Sequence, residues 1–126
     1  MPGKAPRETS KKFTLSQRVR KAAEFDRVFE SGQVTRGRWF NMRVLRDPAA
    51  FPSRLGLVIS SKAAPKAVSR NRWKRILRET FRCGAFRIAG GAMIVVQARQ
   101  MGKLPGRNEA EDEFWDHLKK HNLLNQ

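Results

Sequence analysis

The segment from Ser69 to Arg82 most constrains the fold of this chain, because as an α-helix it separates apolar from basic residues. At about 100° per residue, five residues suited to a core fall on one face: Trp73, Ile76, Leu77, Thr80 and Phe81. The opposite face collects Asn71, Arg72, Lys74, Arg75, Arg78 and Arg82. Solvated helix faces usually mix charge signs, yet here only Glu79 is acidic, at a spacing that predicts a pair with Arg75 or Arg82. Guanidinium groups match phosphate oxygens, so the helix predicts a polyanionic partner.

The charge balance of the whole chain indicates the same kind of partner. The chain has 126 residues, of which 40% are hydrophobic, and this suits one domain with its own core. Its 27 Lys and Arg exceed its 11 Asp and Glu, which leaves a formal charge of +16. Five of the acidic residues lie between positions 109 and 116, so the rest of the domain is strongly basic. Such a field predicts salt-dependent binding to nucleic acid.

Hydrophobic periodicity predicts one α+β domain. Residues 1–12 are rich in Pro, Gly, Lys and Ser and predict a flexible basic arm, followed by a single nucleic-acid-binding domain over 13–126. The predicted elements are a helix over 18–31 ended by Gly32, strands over 34–46 and 54–60, a helix over 66–83 ended by Gly84, a strand over 92–98, and a last helix with a capping box of Asn108 and Glu111. Side chains 38–45 of the first strand are expected to alternate between its two faces, and the continuous apolar run at 92–98 is typical of a central strand. The order α-β-β-α-β-α indicates a single-layer sheet with packed helices, and its β-α-β crossover is right-handed by default. No apolar run approaches a membrane span, so we expect a cytoplasmic protein without membrane association.

The sequence contains no pattern that predicts catalysis by the protein itself. His117 and His121 are four residues apart on the last helix, but two ligands do not complete a zinc site. The acidic run at 109–116 is explained by its position at the positive end of a helix. We therefore predict no catalytic residue, no metal ligand and no cofactor bound by the protein alone.

Several motifs in a fixed order carry a resemblance to a known family. The longest reads Arg70-Asn71-Arg72-x-Lys74-Arg75-x-x-Arg78-Glu79-x-Phe81-Arg82, preceded by Lys66-Ala67-Val68. Supporting motifs are Glu24-Phe25-x-x-Val28-Phe29 with Gly32, Arg54-Leu55-Gly56-Leu57, Ser61-Lys62 and Ala98-Arg99. This set is collinear from about residue 15 to residue 100 and resembles the protein subunit of bacterial ribonuclease P.

The resemblance implies a function that charge and spacing alone do not show. It implies 5′ maturation of precursor tRNA by a ribonucleoprotein whose RNA performs the cleavage, while the protein alone is inactive. The protein would bind the catalytic RNA and the 5′ leader of the substrate, and Mg²⁺ would be held mainly by the RNA. No obligate protein partner is implied. The family fold also implies a left-handed β-α-β crossover, against the default.

The resemblance further implies two groups of site residues. Contacts to the catalytic RNA are implied for Arg70, Asn71, Arg72, Lys74, Arg75, Arg78 and Arg82. Contacts to the leader are implied for Phe25, Phe29, Asn41, Arg43 and Lys62. Aromatic residues four apart equally suit a core, so for Phe25 and Phe29 core packing remains the alternative to base stacking. Arg43 stands where relatives often carry Tyr, and its guanidinium can both stack on a base and pair with phosphate.

Two other functions share the charge pattern. A ribosomal or other structured-RNA protein would have the same basic surface but does not predict the ordered motifs. A DNA-binding regulator would place the basic helix in a major groove. It would also need a second apolar surface for dimerisation.

Overall fold

A computed structural model describes residues 18, 19, 21–50, 52–99 and 105–125, and these form a four-stranded sheet with three α-helices. The elements are α1 (Ala22–Ser31), β1 (Gln33–Arg36), β2 (Phe40–Arg46), β3 (Arg54–Val58), α2 (Ala67–Cys83), a short 3-10 helix (Ala85–Arg87), β4 (Ala92–Ala98) and α3 (Arg107–Lys120). The predicted α+β class with one sheet is confirmed. The predicted arm over residues 1–12 lies outside the described residues. None of the described helices is both long and apolar enough to cross a membrane.

The segment predicted as one strand over 34–46 forms two strands, β1 and β2, which pair antiparallel. The chain reverses at Gly37, and the carboxylate of Glu113 on α3 accepts hydrogen bonds from the backbone N–H groups of Arg38, Trp39 and Phe40 at 3.0–3.1 Å. A Cβ atom at Gly37 would collide with that carboxylate, so a side chain there would have to displace Glu113 from the turn. The described order is therefore α-β-β-β-α-β-α.

The sheet has the strand order β1-β2-β4-β3. β2 and β4 pair antiparallel, with Phe40 opposite Ala98, and β3 and β4 pair parallel, with Leu55 opposite Ile94. α2 connects β3 to β4 and completes the predicted β-α-β unit. The left-handed sense of that crossover stays a prediction.

Helices cover both faces of the sheet. The α2 and α3 face includes Trp39, Phe40, Met42, Val44, Leu55, Ile94, Val96, Trp73, Leu77, Phe81, Phe114 and Leu118. The α1 face includes Val19, Val28, Met93 and Val95, with Phe25, Leu45 and Val58 packed against them. Residues of β2 alternate between these faces, as predicted for positions 40–45, because successive side chains of a strand point to opposite sides. β4 is central, and its first five residues are buried, which confirms the prediction from its apolar run.

Two helix starts differ from the predictions. α1 begins at Ala22 rather than Arg18, because Arg18 forms a parallel β-bridge with Leu55 and the Val19 N–H donates to the Leu55 carbonyl at 3.1 Å. At α3 the carboxylate that caps the first turn is Glu109, which accepts a 2.9 Å hydrogen bond from the N–H of Gly106. The predicted capping box of Asn108 and Glu111 is wrong. The predicted ends of α1 at Gly32 and of α2 at Gly84 are confirmed.

Candidate nucleic-acid interface

The buried and the cationic residues of α2 lie on different faces of the helix, as the sequence predicts. The five predicted core residues, Trp73, Ile76, Leu77, Thr80 and Phe81, are all buried. Thr80 satisfies its hydroxyl by donating to the Ile76 carbonyl at 2.8 Å, which offsets the cost of burying that polar group. The cationic residues therefore lie on the outer face of α2.

The outer face of α2 is cationic. Asn71, Arg72 and Arg75 are exposed, whereas Lys74, Arg78 and Arg82 are half-buried. The predicted ion pair of Glu79 with Arg75 or Arg82 is wrong, because Glu79 pairs with Arg107.

The carboxylate of Glu79 accepts a 2.6 Å hydrogen bond from Arg107 at the start of α3, and this bond is the main cause that lowers the pKa of Glu79. Across the described residues, no carboxylate forms an ion pair with a cation on α2. The guanidinium groups of Arg72 and Arg75 consequently retain their donors for phosphate.

Two of the predicted RNA-binding arginines, Arg70 and Arg78, are affected by other parts of the domain. Arg70 donates from Nη1 to the carbonyl oxygens of Ala64 (2.8 Å) and Pro65 (3.0 Å), which ties the loop before α2 to the helix. Partial burial, together with the nearby charge of Arg18, lowers the pKa of Arg78. A bound anion near Arg78 and Arg18 would relieve that repulsion between like charges.

A second polar surface lies on the α1 face of the sheet. The Arg43 guanidinium is 4.7 Å from the ring centroid of Phe29, and its Nη1 donates to Gln97 Oε1 at 2.9 Å. Phe29 is 37% exposed rather than enclosed in the core. The structure thus brings one aromatic and one cationic residue of the predicted leader set together at the protein surface.

The other three predicted leader residues have different environments. Phe25 is half-buried and packs on Gly56, where a Cβ atom would come within 2.8 Å of the ring. Asn41 lies opposite Gln97 in the β2-β4 register, and its Oδ1 is shielded from solvent without a hydrogen bond in the described region. Lys62 is exposed on the loop between β3 and α2. Phe25 therefore belongs mainly to the packed layer, while Asn41 adds an unsatisfied acceptor beside Gln97.

Sequence reasoning missed Gln97, which orients Arg43. The available signal was its place two residues after Val95 on β4, since positions two apart share a face of a strand. A polar residue on that face, directly after an apolar run, marks the point where the cover provided by α1 ends.

His117 on α3 and His121, which follows the end of α3, act as structural hydrogen-bonding groups. His117 is buried, with Nδ1 2.5 Å from Thr35 Oγ1 and Nε2 3.1 Å from the Phe40 carbonyl. His121 Nε2 lies 3.0 Å from Thr35 Oγ1 and 3.2 Å from the Met42 carbonyl. Both rings tie α3 to the β1-β2 hairpin. The part of the chain that the structure describes holds no group of three or more His, Cys, Asp or Glu residues arranged to bind a metal ion.

Comparisons with known proteins agree with this geometry. Residues 13–122 match the family described as Ribonuclease P. The ribonuclease P protein component of Pseudanabaena sp. is 33% identical over 107 residues, which are 85% of this chain and 92% of that protein. The RNase P protein of Staphylococcus aureus has a TM-score of 0.78 at 29% identity, with 86% of this chain and 98% of that chain covered. The RNase P protein of Thermotoga maritima has a TM-score of 0.70 at 28% identity, with 82% of this chain and 96% of that chain covered. The family match, the fold and the order of the motifs together show that this chain belongs to the family of bacterial ribonuclease P protein components, which serve in tRNA processing.

Proposed function

We propose that this chain binds the catalytic RNA of ribonuclease P through α2 and the 5′ leader of precursor tRNA through the surface around Phe29 and Arg43. In this role it assists the Mg²⁺-dependent endonucleolytic removal of the leader. The observation that carries the proposal is the row of cations on α2, which has no carboxylate partner among the described residues and lies opposite a fully packed face.

The cationic face of α2 suits a folded RNA. From Asn71 to Arg82 the helix advances about 16 Å, at about 1.5 Å per residue. Arg72 and Arg75 are exposed in the first half and at the middle of the helix, and Lys74, Arg78 and Arg82 extend the charge along its length. Each cation that neutralises a phosphate releases counterions, so the row would supply affinity that falls steeply with salt.

The surface around Phe29 and Arg43 suits a single strand. Unpaired bases can stack on an aromatic ring or on a guanidinium plane, which a duplex does not allow. Arg43 is held over Phe29 and by Gln97, so its plane is oriented before a ligand arrives. The mature product lacks the leader, so this surface would favour the precursor over the product.

Cleavage itself is assigned to the RNA, and the protein alone is expected to be inactive. Mg²⁺, held mainly by the RNA, would supply the Lewis-acid chemistry of phosphodiester hydrolysis. Several carboxylates of the chain already have partners within the fold, including Glu24 with Arg54 at 2.8 Å and Glu79 with Arg107 at 2.6 Å. The contribution of the chain is positive charge, which reduces the repulsion between the catalytic RNA and its substrate. We expect no obligate protein partner and a cytoplasmic location.

Reconstitution tests this function. The protein is combined with a ribonuclease P RNA and a precursor tRNA at low Mg²⁺, and cleavage at the mature 5′ end is measured. We expect cleavage by the protein and RNA together to exceed that by the RNA alone, and no cleavage by the protein alone. A protein that leaves the RNA unchanged, yet binds other folded RNAs equally well, would instead be a general structured-RNA protein. Preference for duplex DNA over the catalytic RNA would favour the regulator.

A further inference from the structure

Phe86 is a large aromatic residue that the fold leaves in solvent. It lies three residues beyond the end of α2 and is 79% exposed, a value that only Val68 matches among the large apolar residues described. Most aromatic rings of this domain are used for packing, as Phe40, Phe81 and Phe114 show. The exposure of Phe86 is therefore not explained by the needs of the core.

The backbone that carries Phe86 is braced on both sides. The Arg87 N–H donates to the Gly84 carbonyl at 2.9 Å and closes the short 3-10 turn. Asn125 holds the same turn from the C-terminal segment, with Nδ2 donating to the Phe86 carbonyl at 3.1 Å and its backbone N–H donating to the Arg87 carbonyl at 2.8 Å. Ile88, which follows, is buried. The ring thus projects from a fixed support rather than from a loose loop.

Two cationic residues are close to Phe86 in the chain. Arg82 precedes Phe86 by four residues in the last turn of α2, and Arg87 follows it directly. The Arg87 guanidinium is held 4.5 Å from the centroid of the Trp115 ring. Trp115 in turn packs so closely on Gly84 that a Cβ atom there would collide with it. Both the aromatic group and one neighbouring cation are therefore positioned before any ligand binds.

The geometry points to a stacking site at Phe86 for an unpaired base of the catalytic RNA, with Arg82 and Arg87 contacting the flanking phosphates. This inference rests on the proposed function and extends the RNA surface beyond α2. An exposed ring with cationic residues close to it in the chain suits single-stranded nucleotides, because the ring takes a base face and the cations take the backbone. An apolar protein partner would instead meet two desolvated charges. The leader surface lies on the α1 face of the sheet, whereas Phe86 continues the helix packed on the other face.

Binding of variants to a ribonuclease P RNA tests the stacking site. The affinity of the full chain is measured over a range of salt concentrations for the wild type, F86A, F86L and F86W. One stacked base corresponds to a loss of about fivefold to hundredfold for F86A, and F86L should lose nearly as much because it keeps apolar size without a ring. F86W should bind like the wild type. The salt slope should not change, because stacking releases no counterions.

V34A is the control, since Val34 is an exposed apolar residue without a ring and lies on β1, at the edge of the sheet opposite β3 and outside the proposed surface on α2. It should change the affinity less than twofold. The midpoints of thermal unfolding of F86A and the wild type should agree because the ring is not part of the core. Photo-crosslinking should join the peptide that contains Phe86 to an unpaired nucleotide of the RNA.

The outcomes separate the inference from the proposed function. A wild-type chain that neither binds nor activates the RNA would overturn both. Three results, with a wild type that binds and activates the RNA, would overturn the stacking site alone. F86A could bind the RNA as tightly as the wild type, F86W could bind as weakly as F86A, or the crosslink could form only to the leader. A change in the oligomeric state of the free protein on F86A, with RNA affinity preserved, would show that Phe86 contacts a second copy of the chain and would also overturn it.

Discussion

The guanidinium of Arg43 on β2 lies 4.7 Å from the ring centroid of Phe29 on α1. The two residues come from different elements, and Gln97 on a third element holds the cation in place through its 2.9 Å hydrogen bond. Such a cation–π contact at a partly exposed site is worth about 0.5–1 kcal/mol, so it orients both groups more than it stabilises the fold. The arrangement presents a flat, positively charged surface where the resemblance to relatives implies a leader contact.

Replacing Arg43 by Ala should weaken binding of precursor tRNA to the assembled ribonucleoprotein while leaving the mature product nearly unaffected. Removing one stacking and phosphate interaction corresponds to about 1–3 kcal/mol, or roughly fivefold or more in affinity. The weakening should appear only with leaders long enough to reach the site. Affinities for substrates with leaders of graded length measure this effect.

Arg43→Lys provides the control, because it keeps the charge and removes the planar group. It should recover only part of the affinity. Equal weakening for precursor and mature tRNA would show that Arg43 supports the fold or the catalytic RNA instead.

Replacing Arg72 and Arg75 together by Ala should weaken binding to the catalytic RNA and lower the salt slope by about one unit for each phosphate that is no longer neutralised. Both side chains are exposed, so the free energy of unfolding should change little. Filter binding or fluorescence titration at several salt concentrations gives the slope. Lys120→Ala removes a similar charge from the last turn of α3, where Lys120 pairs with Asp116, and should leave the slope unchanged. If the double variant keeps the wild-type slope, α2 does not form the RNA contact.

Replacing Glu113 by Gln should destabilise the domain by about 1–3 kcal/mol, because the carboxylate accepts backbone hydrogen bonds that an amide serves only in part. It receives these bonds from the turn between β1 and β2 and also lies 3.2 Å from His117 Nε2. Urea unfolding at neutral pH measures the difference. Asp116→Asn is the control on the same helix, since Asp116 is exposed and its ion pair is worth little. An equal effect of both variants would mean that Glu113 contributes no more than surface charge.

Acid should destabilise the domain in two stages. Burial is the main cause that lowers the pKa of His121, and the charges of His117 and Arg46 add to it, whereas the hydrogen bond to the Met42 carbonyl opposes it. The folded state therefore favours neutral His121, and the unfolded chain takes up the proton near its ordinary pKa of about 6.5. The stability contributed by His121 is thus present above that pKa and is lost as the pH falls below it.

Glu113 accounts for the second stage. Burial alone would raise its pKa, but hydrogen bonds from His117, Phe40 and Trp39 outweigh burial and lower it. Its contribution is present above the ordinary carboxyl pKa of about 4.3 and disappears as the pH falls through the folded value. Urea unfolding at about pH 7.5, 6, 5 and 3 should show a declining free energy of unfolding. The decline between about pH 7.5 and 5 should be smaller in His121→Gln, and the decline between about pH 5 and 3 should be smaller in Glu113→Gln. A free energy that rises on acidification over this range would contradict the assignment.

Local periodicity was sufficient for the elements whose burial depends on their own sequence. The 3.6-residue period of α2 predicted its buried and cationic faces, because a helix turns each residue by a fixed angle toward or away from the core. The apolar run of β4 predicted a central strand, because only a strand covered on both faces can bury consecutive residues. The ordered motifs predicted the family, since they combine the basic helix with the strands that support it.

Only the tertiary structure decided the features that depend on residues far apart in the chain. The alternating pattern of 34–46 predicted one strand. The chain turns at Gly37 because Glu113, about 75 residues away, accepts hydrogen bonds from the N–H groups of the turn. Glu79 has two cations at helical spacing on its own helix, yet it pairs with Arg107 from α3. The same holds for Arg43, whose orientation depends on Phe29 from α1 and Gln97 from β4. The sequence by itself determined which faces are buried and which are charged. The tertiary structure alone decided which polar groups meet, because that depends on how helices and strands pack across the sheet and not on the spacing of residues within any one of them.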